Sequence, residues 1–358
     1  MIKYFKVSGY KSIKDPIELD LNSKGKRIKG TKYEYNYFNN RLPKSIFLFG
    51  HNAVGKTNVL ESIDNLFNII NKGIDLEKQK TFINTFTKEL KYHLEIICGN
   101  DLYTYKLEIN QENILYEYLS KNNKPFYEFK DDTLVSNLYQ DFKSLLSVKS
   151  KTTILQKLKD NINSEISEFI KYNCIFYRIE HGMWRDYKIK DEEIKIFFEE
   201  EKDTLIDILK ILDNSITDFY FLDLKDNSYK MILKRGEIDF SIELESSGIK
   251  KIIYLVPIVI FTMKNGGITL IDELDSSIGT VSLIRFLNST INSEDNEKGQ
   301  FLISTHNPLL FDTELLSPDQ IYIVTKEDYA TKINSLDSFE LRKDKRKAYL
   351  NYLRGDYE

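Results

Sequence analysis

Residues 46–57 read Ile-Phe-Leu-Phe-Gly-His-Asn-Ala-Val-Gly-Lys-Thr, an apolar run that leads directly into a loop with two glycines. The apolar run predicts a strand buried on both faces, and the amphipathic segment 58–70 predicts a helix. A strand, a Gly-x-x-x-x-Gly-Lys-Thr loop and a helix together form a phosphate-binding loop. Its glycines let the backbone N–H groups wrap closely around a phosphate at the start of the helix. The sequence therefore predicts an α/β fold with a phosphate site at residues 50–57.

The side chains of this loop have separate predicted roles. Lys56 is expected to reach the β and γ phosphates of a nucleotide, and the hydroxyl of Thr57 is expected to hold Mg²⁺. The residues predicted to contact the nucleotide in this segment are Gly50, His51, Asn52, Ala53, Val54, Gly55, Lys56, Thr57 and Asn58.

A second apolar strand, residues 268–273, reads Ile-Thr-Leu-Ile-Asp-Glu and ends in two carboxylates. Asp272 is predicted to order the Mg²⁺ shell beside Thr57, and Glu273 is predicted to polarise the water that attacks the γ phosphate. A strand that ends in two acids is, taken alone, typical of a solvated strand end. The phosphate-binding loop elsewhere in the chain favours the catalytic interpretation.

Two further segments contain residue types that suit a phosphate site. Residues 246–248 (Ser-Ser-Gly) precede an apolar helix at 250–262, and small hydroxyl residues with a glycine at a helix N-terminus can hold an anion. An ordinary helix N-cap is the alternative for this segment. The apolar strand 301–305 is followed by His306. Because strand ends form the ligand crevice of a doubly wound sheet, His306 is predicted to face the phosphates.

The pattern along the rest of the chain predicts three regions. Alternation over residues 1–21 predicts a hairpin-like sheet edge, residues 22–44 have the composition of an irregular loop, and residues 90–119 predict three antiparallel strands. Helical spacing over 131–173 and 191–213 predicts a helical insertion. The predicted regions are an N-terminal lobe at 1–119, a mainly helical insertion at 120–215 and a C-terminal lobe at 216–358.

Composition limits the class of protein. With 358 residues, 41% hydrophobic and 30% charged, the chain is expected to fold around a substantial core. A net charge of -4 means that any nucleic-acid contact needs a local basic patch. Cys98 and Cys174 are too few for a disulfide framework or a zinc site. No apolar run approaches the roughly 18 residues of a spanning helix, so we expect a soluble, cytoplasmic protein without a membrane partner.

The order of these motifs resembles that of the ABC-type ATPases of the SMC and RecF kind. It is more closely similar to the stand-alone prokaryotic AAA/ABC-type ATPases of abortive-infection and anti-phage defence systems. Residues 7–13 (Val-Ser-Gly-Tyr-Lys-Ser-Ile) and the segment 341–355 resemble the beginning and the end of that group. The resemblance implies a P-loop ABC-type ATPase core with an antiparallel β lobe and a helical insertion, with ATP and Mg²⁺ as its ligands.

In that group two protomers enclose two ATP molecules, so the resemblance implies a homodimer. By matching position, the implied dimer residues are Ser246, Ser247 and Gly248 in the signature that caps the partner's ATP, Asp275 in the loop that crosses the dimer, and His306 as the switch histidine. The implied catalytic residues are Lys56, Glu273 and His306. The chain departs from the group's pattern at Glu245, where Leu is common, and at Gly9-Tyr10, where Asn-Phe is common.

The biological output stays open between two classes at this point. The resemblance implies an ATPase that controls a separately encoded toxin or nuclease in anti-phage defence, and the alternative is a repair or recombination ATPase that clamps duplex DNA. A transporter subunit is disfavoured because no coupling glutamine loop is identifiable. A basic segment near the C-terminus is either a solvated helix face or a docking surface for an effector or a nucleic acid. Its basic residues are Arg342, Lys343, Lys345, Arg346, Lys347 and Arg354.

Overall fold

A computed structural model gives the arrangement of the chain. It describes residues 1–22, 34–37, 40–130, 133–136, 151–159, 164–172, 174–177, 188–189, 192–225, 228–311, 315–339 and 347–357. The strands are β1 (Ile2–Ser8), β2 (Ile17–Asp20), β3 (Glu34–Tyr37), β4 (Asn40–Pro43), β5 (Ser45–Phe49), β6 (Glu89–Cys98), β7 (Asp101–Asn110), β8 (Ile114–Lys121), β9 (Lys124–Lys130), β10 (Thr133–Ser136), β11 (Cys174–Tyr177), β12 (Lys188–Ile189), β13 (Asp218–Asp223), β14 (Tyr229–Arg235), β15 (Ile238–Ser241), β16 (Gly267–Ile271), β17 (Gly299–Thr305), β18 (Ile321–Glu327) and β19 (Ala330–Ser335). The α-helices are α1 (Lys56–Lys72), α2 (Leu76–Lys80), α3 (Ile154–Lys159), α4 (Ser164–Ile170), α5 (Glu192–Glu200), α6 (Lys202–Leu212), α7 (Ser247–Asn265), α8 (Thr280–Ser289) and α9 (Lys347–Arg354).

The central sheet carries the loop that follows β5. Its strand order is β11-β16-β17-β5-β18-β19, with parallel neighbours from β11 to β18 and β19 antiparallel to β18. Successive side chains of a strand point to opposite faces. Accordingly, Ile46 and Leu48 belong to the core that contains α1, whereas Phe47 and Phe49 belong to the core that contains α7. Because apolar side chains cover both faces, every residue of β5 is buried up to the point where the loop starts. The predicted α/β fold is confirmed.

A second, antiparallel sheet packs against α1. Its strand order is β10-β9-β8-β7-β6-β1-β2, and its apolar side chains share one core with those of α1. The hairpin-like edge predicted for residues 1–21 is confirmed, because β1 and β2 pair antiparallel. The three antiparallel strands predicted for residues 90–119 are confirmed as β6, β7 and β8.

Several elements differ from the sequence-based expectation. Residues 34–37 and 40–43 form a hairpin rather than an irregular loop, and the Tyr35 hydroxyl anchors it 2.8 Å from the carbonyl oxygen of Asn296. Within the stretch predicted to be helical, β10 instead extends the antiparallel sheet, because it pairs with β9. Helices α3 to α6 do lie within the predicted helical stretches.

The region assigned to the insertion also contributes to the central sheet. Strand β11 lies inside residues 120–215, yet it pairs in parallel with β16 at one edge of that sheet. The antiparallel sheet likewise continues from β8 to β9 across residue 120. Strand pairing therefore joins the insertion to both lobes, and the division of the chain into three regions stays a prediction.

Glu117 anchors the start of α3 to the antiparallel sheet. This buried carboxylate accepts hydrogen bonds from the hydroxyls of Tyr105 (3.1 Å) and Tyr127 (2.9 Å). It also accepts from the backbone N–H groups of Ile154 (2.6 Å) and Leu155 (3.1 Å). Burial raises the pKa of Glu117, and these four donors oppose that shift. The N-terminus of α3 is thereby held by a side chain of β8.

Helix α9 packs on the core through its aromatic face. Tyr352 stacks on Phe311, with 4.5 Å between ring centroids, and Ala348 is buried. Leu350 and Leu353 of the same helix are exposed. Basic residues 342–346 lie outside the described residues. Within the described part of the chain, no helix combines the length and apolar character needed to cross a membrane.

Candidate functional site

The loop between β5 and α1 contains residues with positive φ angles, which residues with a side chain rarely adopt. Gly55 has φ 109°, and Ala53 has φ 64°. A Cβ atom on Gly55 would lie 2.1 Å from the Thr331 hydroxyl oxygen, so both the backbone angle and the available space require glycine. Successive N–H groups in such a loop, followed by a helix N-terminus, form a concave site for an anion.

Two hydroxyl residues from distant segments support this loop from behind. Thr331, in β19, donates to the Val54 carbonyl oxygen at 2.8 Å and lies 2.7 Å from the Ser12 hydroxyl. The Asn58 amide donates in turn to that Ser12 hydroxyl at 2.6 Å. Ser12 belongs to residues 7–13, which carried part of the family resemblance. Nothing in the sequence predicted that Thr331 would contact the loop.

Lys56 lies folded into the loop. Its ammonium group donates to the carbonyl oxygens of Gly50 (2.7 Å) and His51 (2.9 Å) and lies 3.0 Å from His306 Nδ1. Burial lowers the pKa of Lys56 to about 8, against the opposing attraction of nearby acids. A protonated Lys56 makes Nδ1 of His306 the acceptor, so the ring proton lies on Nε2.

Asp272 joins the loop to the neighbouring strands of the central sheet. Its carboxylate accepts from the Thr57 hydroxyl at 2.8 Å and from the Ser304 hydroxyl at 2.5 Å. A hydroxyl and a carboxylate are the oxygen ligands that Mg²⁺ prefers. Ser304 belongs to the apolar strand predicted at 301–305, but nothing in the sequence predicted that its hydroxyl would bind Asp272.

Glu273 follows Asp272 in the left-handed backbone region, with φ 51°. Its N–H group donates to the Ser304 hydroxyl at 2.8 Å. Its side chain is 56% exposed, and Oε1 lies 3.5 Å from Nε2 of His306. The imidazole therefore stands between Lys56 on one side and Glu273 on the other.

These residues line one cleft of about 300 Å³. The lining residues are Asn52, Ala53, Gly55, Lys56, Thr57, Asn58, Asp272, Glu273 and His306. The tertiary structure thus brings the predicted catalytic and metal residues together. His51 and Val54 face a different space of about 930 Å³, which β18 and β19 also line.

The Asp275 carboxylate, predicted to lie in a loop that crosses a dimer, accepts from the backbone N–H of His306 at 3.2 Å. It does not line the cleft itself. Among the described residues, no group of three or more His, Cys, Asp and Glu side chains could hold a metal ion. Thr57 brings a hydroxyl oxygen and Asp272 a carboxylate to the cleft, where the two side chains are hydrogen-bonded.

Residues 246–248 start α7 and do not line the cleft of their own chain. Ser246 is the helix N-cap, because its hydroxyl accepts from the Ile249 N–H at 3.3 Å. Gly248 packs so closely that a Cβ would lie 2.5 Å from the Ser277 carbonyl oxygen. The N-terminus of α7 is thus seated on the segment that follows Glu273.

An ion-pair clamp holds the residue just before this helix. Arg235 donates to both carboxylate oxygens of Glu245, at 2.5 and 2.9 Å, and to Asp213 at 2.9 Å. Paired hydrogen bonds from one guanidinium to one carboxylate fix direction as well as distance. Glu245, which departs from the residue common in the resembling group, therefore has a dedicated partner at the end of β14.

Comparison with known proteins gives a family and a fold. Residues 45–312 match the family described as "AAA domain, putative AbiEii toxin, Type IV TA system". An SMC head bound to the C-terminal winged-helix domain of ScpA matches with TM-score 0.56 and 13% identity, covering 96% of this chain and 98% of that one. An SMC head with an extended coiled coil, bound to the C-terminal domain of ScpA from Pyrococcus furiosus, matches with TM-score 0.53 and 13% identity, covering 99% of both chains.

The SMC head domain from Thermotoga maritima matches with TM-score 0.50 and 15% identity, covering 93% of this chain and 98% of that one. No curated protein matches the chain. At these identities the similarity concerns the fold, so the chain has the mixed α/β architecture of SMC heads.

The loop geometry predicts that Gly55→Ser weakens nucleotide binding. A side chain at φ 109° is strained and would meet Thr331, so we expect ATP affinity to fall by about tenfold or more, measured by titration calorimetry at a temperature where the protein is folded. Gly279→Ser is the matched control, because Gly279 has φ -63° and open space around its Cα. Equal affinities in the two variants would contradict the role of this loop.

Proposed function

The chain belongs to the AAA-domain family that its residues 45–312 match, and on that basis we propose that it is a Mg²⁺-dependent ATPase. The observation that carries the proposal is the cleft itself. Thr57 and Asp272 are 215 positions apart in the chain, yet their side chains are hydrogen-bonded at its base. Lys56, Glu273 and His306 line the same cleft.

The residues of the loop fit the phosphates of a nucleotide. The N–H groups of residues 52–57 would bind the phosphate oxygens, and Lys56, already held at the loop, would exchange its carbonyl partners for β and γ phosphate oxygens. Thr57 and Asp272 would hold Mg²⁺ through oxygen atoms. When bound, Mg²⁺ supplies positive charge that neutralises the phosphates as the γ-phosphoryl group leaves.

Glu273 is the residue proposed to orient and polarise the attacking water. Its carboxylate is the exposed acid of the cleft, and its backbone is fixed at the N–H group by Ser304. The backbone N–H of His306 donates to Asp275, which holds the histidine in place. Its Nε2 proton then points towards Glu273, or towards a phosphate oxygen when a nucleotide is bound there. These assignments give Lys56, Glu273 and His306 the catalytic roles.

We further propose that the working form is a head-to-tail homodimer with ATP at the interface. Ser246, Ser247 and Gly248 do not line the cleft of their own chain, so the ATP of a second copy is the ligand that we assign to the N-terminus of α7. Exposed apolar side chains next to the motifs support a protein-covered face. They are Leu244 (79% exposed), Val281 (64% exposed) and Leu309 (52% exposed).

The proposed output is control of a separately encoded effector, a toxin or nuclease, in anti-phage defence. The family description names a toxin of a type IV toxin–antitoxin system, and two of the similar SMC heads are bound to a domain of another protein. An ATP-driven closure regulates such a partner only if the partner has different affinities for the open and closed dimers.

A second candidate function is a DNA-clamping ATPase of repair or recombination. Its support is the SMC-head fold, which extends over nearly the whole chain. With a net charge of -4, the chain would need a local basic groove across the dimer to bind a duplex.

Glu273→Gln is predicted to retain ATP and to accumulate as the ATP-bound dimer, because binding groups remain while water activation is lost. We expect kcat to fall by about 100-fold or more, measured by phosphate release, with the dimer followed by light scattering. Glu297→Gln, at an exposed position, is the matched control and should hydrolyse ATP like the wild type. The variant Lys56→Ala should abolish the binding of ATP. Wild-type turnover by Glu273→Gln would remove Glu273 from the mechanism.

The composite site predicts a separate behaviour for the signature. The double variant Ser246→Ala/Ser247→Ala should bind ATP but fail to dimerise, because the missing hydroxyls serve the partner's site and Gly248 keeps its close packing on Ser277. Mixing it with Lys56→Ala protein should restore dimers that have one working site, since each variant supplies what the other lacks. Normal hydrolysis by the double variant as a monomer would rule out the trans arrangement.

The biological output is tested by recovering partners of the Glu273→Gln protein from its native cells, with and without ATP. A specific protein recovered in one nucleotide state is the expected result, with Lys56→Ala as the nucleotide-free control. Duplex DNA recovered alone, with binding that weakens steeply with salt, would support the clamp instead. Equal recovery of every partner in both nucleotide states would refute control by ATP.

A further inference from the structure

A buried lysine lies behind the cleft, where the mechanism above does not use it. Lys251 is on α7, and it is 1% exposed. Its ammonium group donates to the backbone carbonyl oxygens of Glu273 (2.6 Å) and Ser276 (3.0 Å). A charged group is rarely buried unless it has partners, so this one has a specific task in the segment 273–276.

The charges around Lys251 favour its protonated form. Burial lowers the pKa of Lys251 to about 8, and the attraction of Asp275, Glu273 and Asp272 opposes that shift. The side chain thus brings a positive charge beneath the acids of the cleft while its hydrogen bonds go to main-chain oxygens. Lys251 connects α7 to the backbone rather than to a carboxylate.

The backbone that it holds is strained. Glu273 has φ 51°, in the left-handed region that a residue with a side chain rarely adopts. Hydrogen bonds on both sides of the residue maintain it: Ser304 accepts from its N–H, and Lys251 donates to its carbonyl oxygen. This fixed backbone aims the carboxylate at His306, 3.5 Å away.

The same helix touches this segment at a second point. Gly248 lies against the Ser277 carbonyl oxygen, where even a Cβ would be 2.5 Å away. Helix α7 is therefore seated on residues 273–277 at its N-terminus and again at Lys251. A shift of α7 cannot occur without moving the backbone of Glu273 or breaking these contacts.

We propose that Lys251 is a positioning residue that sets the direction of Glu273 and makes it move as one unit with the N-terminus of α7. This inference rests on the proposed ATPase function. When residues 246–248 cap the ATP of a second copy, α7 takes up its closed position. Lys251 then carries this movement to the water-activating carboxylate of Glu273 in the same chain. Closure of the dimer and alignment of Glu273 are then one event.

The test compares Lys251→Met with Lys264→Met, a matched control on the last turn of the same helix, where the lysine pairs with Glu201 at an exposed site. Lys251→Met should lower kcat for ATP hydrolysis by about 10- to 100-fold, because a small misplacement of a catalytic group has effects of that size. Its ATP affinity should stay within about twofold of the wild type, since no phosphate ligand is removed. Lys251→Arg, which keeps the donors, should recover part of kcat, and Lys264→Met should match the wild type.

A second readout separates positioning from general damage. If Lys251 acts through Glu273, adding Lys251→Met to Glu273→Gln should leave the residual rate of Glu273→Gln unchanged. If Lys251→Met does not fold, Lys251→Gln replaces it, because the shorter amide satisfies the buried position but is too short to reach both carbonyl oxygens.

Unchanged kcat in the folded Lys251 variant overturns the inference, as does an additive loss in the double variant or a parallel loss of ATP affinity. A wild-type protein that does not hydrolyse ATP would instead refute the proposed function. The two failures are therefore distinguishable.

Discussion

The carboxylate of Asp272 is the interaction on which the site depends. It accepts hydrogen bonds from Thr57 at the start of α1 and from Ser304 in β17, while Asp272 itself directly follows β16. One buried carboxylate therefore ties the ends of neighbouring parallel strands to the phosphate-binding loop. Two charge-assisted hydrogen bonds of this kind hold a geometry more firmly than neutral ones. Because Ser304 also accepts from the backbone of Glu273, the position of the proposed water-activating residue follows from the same contact.

The segment before α7 is held to the rest of the chain by an ion pair as well as by the buried side chain of Ile242. Arg235 binds Glu245 and Asp213, so it connects the N-terminal side of α7 to the end of α6. A Leu at position 245 would leave the guanidinium without its paired acceptor. This explains in physical terms how the chain accommodates an acid where the resembling group commonly has Leu. Through Arg235, the end of α6 is also connected to the residue that precedes α7, the helix proposed to cap a partner's ATP.

The family and the fold restrict the proposed chemistry more than they restrict the proposed biological output. Membership in an AAA-domain family agrees with the phosphate-binding loop found in the cleft, whereas the similarity to SMC heads concerns the fold. They separate the two proposed outputs less well, because a fold supports many partners and function depends on surfaces. Contacts at the cleft would be the same in either case.

Local sequence patterns predicted the strand, loop and helix at 46–70, the two acids that follow β16, and the antiparallel strands near 90–119. These follow from short patterns, since strand alternation and glycine requirements act over a few residues. Tertiary structure alone decided that β11 joins the central sheet, that Thr331 supports the loop, and that Lys251 holds the backbone of Glu273. Each of these contacts joins residues from separate elements whose local patterns do not name their partners. Which polar groups meet is set by how the two cores pack on the sheet, because most buried donors pair with whichever acceptor that packing brings near them.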